Sequence, residues 1–288
     1  MKTNILVNLK IALKRKNFWY AFIGMLCLSI GTYMYNLWSN IGKNIDNTPD
    51  AVSLYYLDNG YPFSMYILLL FPILLVLPYA DIYTKDCTNN TNFFWLTETK
   101  KHEWYVAQLI VVFVMTFITF LIPSVLNITL NAITFAENGN FSFIGGFRYG
   151  PTYFADVEGS AVFREVLESG RWFKWIEYNI PQMYNVLYAF LFSVAGGVLA
   201  SFTYSISLYL GKGRIYIYLL PFVLVQLLRV CDMVTQFMPI YICIDLTRYL
   251  VSGQMKVGCS YLVFWMVMLL LALLSICLVR KKANSDEL

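Results

Sequence analysis

Apolar runs long enough to cross a membrane, separated by short stretches that collect lysine and arginine, set the pattern of this 288-residue chain. The clearest run, 260–279, reads SYLVFWMVMLLLALLSICLV without a charge, and Arg280, Lys281 and Lys282 follow at once. At ~1.5 Å per residue, a helix of that length reaches across the ~30 Å hydrocarbon core of a bilayer. Windows of this kind predict an all-α membrane protein with six transmembrane helices, near 18–38, 62–80, 104–131, 184–209, 215–234 and 259–279. Pro72 and Pro78 predict that the second span kinks or ends near Pro78. Arg229 and Asp232 interrupt the fifth.

The stretches between the spans carry patterns of their own. In residues 1–16, Ile5, Leu6, Leu9, Ala12 and Leu13 recur at helical spacing while Lys2, Lys10 and Lys14 take the other face. This predicts a cytoplasmic interfacial helix leading into a transmembrane domain over 17–288. The 135–183 segment is longer than a connector needs, and predicts a folded extracytoplasmic cap. It opens on Gly145-Gly146 and Gly150-Pro151, continues into a short helix over 161–169, and then reaches an aromatic cluster of Trp172, Phe173, Trp175 and Tyr178. Residues 232–258 are too apolar for a free loop and too short to span and return, and Pro239 interrupts them. They predict re-entrant outer helices between spans five and six.

Charge then orients the bundle. Lys10, Lys14, Arg15 and Lys16 precede span one, and Lys85, Lys100 and Lys101 lie between spans two and three. Lys212 and Arg214 separate spans four and five, and the Arg280 cluster follows span six. With an even number of spans all of these fall on one side, which places both termini in the cytoplasm. The net charge of +4 is spread over membrane edges, so no nucleic-acid partner is expected. Charged residues make up only 13% of the chain, about half a soluble domain's usual share. No cleavable signal peptide is recognisable near the N-terminus. The six cysteines include no CxxC pair. They are expected as free thiols, with a bridge from Cys243 to Cys231 or Cys259 left open.

Candidate chemistry is sparse. His102 is the one histidine, so no metal site is expected, and neither HExxH nor GxSxG occurs. Gly211-Lys212-Gly213-Arg214 lacks the spacing of a phosphate loop. No catalytic residue and no cofactor bound by the chain is therefore expected. Asn127 and Asn131 lie four apart on one helical face, as an interhelical hydrogen-bonding pair or as candidates for a substrate pathway. Gln226 and Arg229 are further pathway candidates. Arg229 and Asp232, three apart, predict a structural ion pair. Ser193, Gly197 and Ser201 form a small-residue row that admits a close helix from this chain or another. Between spans two and three, 81–103 is polar and amide-rich and then exposes Phe93, Phe94, Trp95 and Leu96 ahead of Thr97, Glu98, Lys100, Lys101, His102 and Glu103. An apolar patch rimmed by charge marks either a partner contact or a segment lying on headgroups.

These features together resemble the permease subunit of a bacterial type-2 ABC exporter. The likeness rests on the N-terminal elbow helix at 4–16, six spans with both ends inside, and re-entrant helices near 232–255. It rests also on the loop after span two, LPYADIYTKD at 77–86 and LTETKKHEWYVAQLI at 96–110. The loop departs from the family in lacking a glycine and an arginine, Gln108 stands where a lysine is usual, and the outer segment after span three is larger. The resemblance implies a second permease chain, identical or homologous, and a separate ABC ATPase subunit that supplies ATP and Mg. Phe94, Trp95, Leu96, Thr97, Glu98, Lys100, Lys101, His102 and Glu103 would then be the coupling residues. It implies alternating access that moves an amphipathic peptide, antibiotic or lipid. The alternative is a membrane sensor or accessory assembly subunit without transport of its own.

Overall fold

The computed structural model describes residues 1–43, 49, 51–57, 63–89, 91, 100–135, 142–144, 147–149, 176, 180–210, 214–235, 243–251 and 260–285. Among the described residues, five helices are long and apolar enough to cross a membrane: α2 (Lys16–Asn40), α5 (Lys101–Thr134), α6 (Pro181–Leu210), α7 (Arg214–Thr235) and α9 (Tyr261–Ser285). The chain is a multi-pass, overwhelmingly helical membrane protein. Two shorter helices, α1 (Lys2–Lys14) and α3 (Ser64–Leu74), precede α4 (Ile82–Thr88), and α8 (Leu246–Leu250) lies between α7 and α9. Strands β1 (Ser142–Ile144) and β2 (Phe147–Tyr149) pair antiparallel with Ile144 opposite Phe147. In the sequence, Gly145-Gly146 falls between the two strands. The helix expected at 161–169 and the aromatic cluster at 172–178 lie outside the described residues.

The second expected span differs from the prediction. Its helix covers only Ser64–Leu74, and 75–81 follow as hydrogen-bonded turns. A proline at position i removes the bond to the carbonyl of i−4 and clashes with it, so Pro78 acts against Leu74, where the helix stops. The turns are nonetheless buried, with Leu75, Val76, Tyr79, Ala80 and Asp81 all at 0% exposure. Non-helical backbone at such depth needs partners, and the Thr116 hydroxyl of α5 donates to the Leu75 carbonyl at 3.4 Å. The segment contacts the full height of the bundle. Phe63 stacks edge-on with Tyr35 at 5.0 Å, Phe71 meets Phe120 at 5.2 Å and Phe192 at 4.6 Å, and Tyr79 reaches Asn8 at 3.0 Å.

Helix α6 is the hub, packed on α5, α9, α7, α4 and α8. The small-residue row is what lets it in, and the helix it admits is α5 of the same chain. A Cβ on Gly197 would stand 2.7 Å from the Phe113 ring and 3.2 Å from the Phe113 carbonyl. Side-chain bonds sort the helix ends into two layers. The start of α2, the turns at 75–81, α4, the start of α5, the end of α6 and the start of α7 share one. Tyr209 donates to the Leu278 carbonyl at 2.9 Å and brings the end of α9 there too. The ends of α2 and α5, the start of α6 and the 51–57 segment share the other.

Candidate functional site

In the first layer α1 stops and α2 starts around a single extended residue, Arg15 (φ −79°, ψ 131°). That break aims its side chain inward. Arg15 is 6% exposed, Asp81 is 0% exposed, and Arg15 Nη2 donates to Asp81 Oδ1 at 2.7 Å. The guanidinium also lies 5.4 Å from the centre of the Tyr79 ring, a cation–π contact. Arg15 Nε and Nη1 are buried without a hydrogen-bond partner. Removing one member of such a pair strands a charge, at a cost on the order of 3–5 kcal/mol.

Around this pair, other side chains tie the same pieces. Tyr79 donates to Asn8 Oδ1 at 3.0 Å, which seats α1 on the turns, and Tyr218 of α7 donates to Asp81 Oδ2 at 3.3 Å. One turn along α4, Asp86 accepts from Gln108 Nε2 of α5 at 3.2 Å and from the Thr91 hydroxyl at 3.3 Å. Tyr204 of α6 in turn donates to Gln108 Oε1 at 2.7 Å. Burial pushes the Asp86 carboxyl up to about 6, while Thr91, Gln108, Arg15 and Lys85 pull the other way. The junction thus joins α1, the broken second segment, α4, α5, α6 and α7 through buried polar side chains, beside the chain that leads into 92–99.

Of the expected coupling residues, Phe94, Trp95, Leu96, Thr97 and Glu98 lie outside the described residues. Lys100 and His102 are exposed, and Lys101 and Glu103 are half-buried at the start of α5. Glu103 accepts from the Met1 amino group at 2.7 Å. Asn127 and Asn131 are fully buried in the opposite layer. Asn127 Nδ2 donates to the Ser29 carbonyl at 2.9 Å and to Thr32 Oγ1 at 3.0 Å, and its Oδ1 accepts from the Tyr56 amide at 3.3 Å. Asn131 accepts from Asn36 at 3.1 Å and donates to the Leu54 carbonyl at 3.2 Å. The pair staples α2, α5 and 51–57.

The expected Arg229–Asp232 pair is corrected by the structure. Arg229 Nε lies 3.6 Å from Asp245, its Nη2 donates to Thr247 Oγ1 at 3.2 Å, and Asp232 lies 3.6 Å from Arg248. Asp232 also accepts the Ile244 amide at 2.8 Å, and Asp245 caps α8 by accepting the Thr247 amide at 2.9 Å. These crossed charges bind α8 to the end of α7, because partners on a second element offer backbone donors as well as charge. Gln226 is half-buried on α7, and Arg229 turns to α8 instead of to it. Between 232 and 255, α7 continues through Thr235 and α8 is the one further helix among the described residues. Cys231 is a free, exposed thiol and Cys243 is buried; Cys259 lies outside the described residues. Among the described residues, no group of three or more His, Cys, Asp or Glu side chains gathers as a metal site.

Sequence reading missed the Arg15–Asp81 junction, having taken Arg15 for one more topogenic charge. The available signal was Asn8, an amide four residues before Ala12 on the side of α1 that turns to the bundle. No family model, curated protein or solved structure matches the chain.

Proposed function

We propose that the chain is the membrane-spanning permease subunit of an ATP-driven exporter, moving an amphipathic peptide, drug or lipid, with ATP hydrolysed by a separate subunit. In this reading 63–81 is a sixth, broken crossing, α1 is an elbow helix on the cytoplasmic surface, and α8 belongs to an outer re-entrant segment. One observation carries the proposal: the buried Arg15–Asp81 junction ties α1, the broken segment and α5 together in the layer where α5 starts. A push on 92–103 by an ATPase would reach α4 and α5 through Asp86 and Gln108. It would pass from them to α6 through Tyr204. Five long apolar helices among the described residues suit a body that rocks between two states.

The second reading, a sensor or assembly subunit, draws on the Asn127 and Asn131 staple, which uses up its polar groups within the chain. Co-purification separates the two. A tagged chain is expected to bring down an ATPase whose hydrolysis rate changes on reconstitution. Phe94→Asp with Trp95→Asp should abolish that change. If no ATPase accompanies the chain and hydrolysis is indifferent to its presence, the exporter reading fails.

A further inference from the structure

We propose that the outward flank of α1 is a docking surface for anionic phospholipid headgroups. Only one flank of the apolar sector of α1 is seated. Asn8 and Ala12 are fully buried against the bundle, and Ile5 and Leu9 are partly so. On the other flank Leu6 is 60% exposed and Leu13 42% exposed. They are seven residues apart, within about 20° of each other around the helix. Lys2, Lys10 and Lys14 line this stripe, and Lys16 follows the break, all four exposed. Trp19, 46% exposed, donates its indole N–H to the Leu13 carbonyl at 2.9 Å and extends the stripe onto α2.

An uncovered leucine stripe flanked by lysine stems fits the boundary between acyl chains and headgroups. Charge selects the headgroup. No Asp or Glu occurs before Asp46, so nothing on α1 or α2 neutralises these lysines. Asp81 is engaged by Arg15, and Glu103 by the Met1 amino group. Exposed Arg280 and Lys281 add to the basic character of the same layer. Because α1 ends at Arg15, a leaflet that holds Lys10, Lys14 and Lys16 acts on the pair that anchors the buried turns. Anionic lipid content is then a regulator of the junction, whatever drives transport.

The test is titration of the purified full chain with short-chain phosphatidylglycerol or phosphatidylcholine, with bound lipid counted by native mass spectrometry. Phosphatidylglycerol should bind more tightly. Lys10→Gln, Lys14→Gln and Lys16→Gln should weaken it about fivefold each, and the triple variant on the order of 100-fold. Leu6→Ser with Leu13→Ser should weaken both lipids alike, and Arg280→Gln with Lys281→Gln should change little. Equal binding of the two lipids, or an unaltered triple variant, overturns the proposal. So does a loss that follows Arg280 and Lys281 in place of the α1 lysines. The measurement needs no ATPase, so its failure is separable from failure of the exporter reading.

Discussion

Asp86 is a carboxylate held where its charge is unwelcome. Burial raises it from an ordinary 3.8 to about 6, even though Thr91 and Gln108 both donate to it. A raised carboxyl binds its proton more tightly in the folded chain than in the unfolded one. Its contribution to stability is fully present below about pH 4 and is lost as pH rises through about 6. At neutral pH the shift corresponds to about 3 kcal/mol of destabilisation. Asp86→Asn should therefore raise the melting temperature in detergent at pH 7.5 and flatten its fall between pH 4 and 6. A melting temperature that drops at pH 7.5 and keeps the same slope would show that the charge itself is needed to hold Gln108. Either result bears on the path from α4 to Tyr204, because Gln108 bonds both Asp86 and Tyr204.

Between helices, what matters is whether space beside the backbone is already taken. Gly197 on α6 lies against the Phe113 ring and carbonyl of α5, whereas Gly24 on α2 has nothing within 4 Å of an added Cβ. Gly197→Ala should cost ~1–3 kcal/mol, since the ring can turn aside but the carbonyl cannot. Gly24→Ala should be neutral or stabilise by up to ~1 kcal/mol through helix propensity. Thermal unfolding of both variants checks the contrast, and equal effects would contradict the α5–α6 packing. The small-residue row, the long apolar helices and the Asn127–Asn131 face were all legible, because each is a spacing within one helix. The partners were not. Arg229 has Asp232 within one turn yet pairs with Asp245, and Arg15 meets Asp81 66 positions away. Pro78 announced the end of the second helix, but the stop at Leu74 follows from the reach of its ring, four residues back.

How the helices alternate decides what the broken 63–81 segment does. Helix α2 leaves the Arg15 layer and ends in the Asn131 layer, while α5 begins beside Arg15 and Asp86. The chain must therefore return between them, and 63–81 touches Tyr35 at one end and Asn8 at the other. Counted as a crossing, it makes six between Lys2 and Ser285 and five between Lys43 and Ser285. An even count returns the chain to its starting side and an odd count does not. With native cysteines replaced, Lys2→Cys and Ser285→Cys should react with a membrane-impermeant maleimide from one face of sealed vesicles, and Lys43→Cys from the other. All three positions are exposed in the folded chain, so silence at one of them would not come from burial. If Lys2 and Ser285 label from opposite faces, the membrane does not follow the two layers that the Arg15–Asp81 and Asn36–Asn131 bonds define, and the six-crossing reading fails.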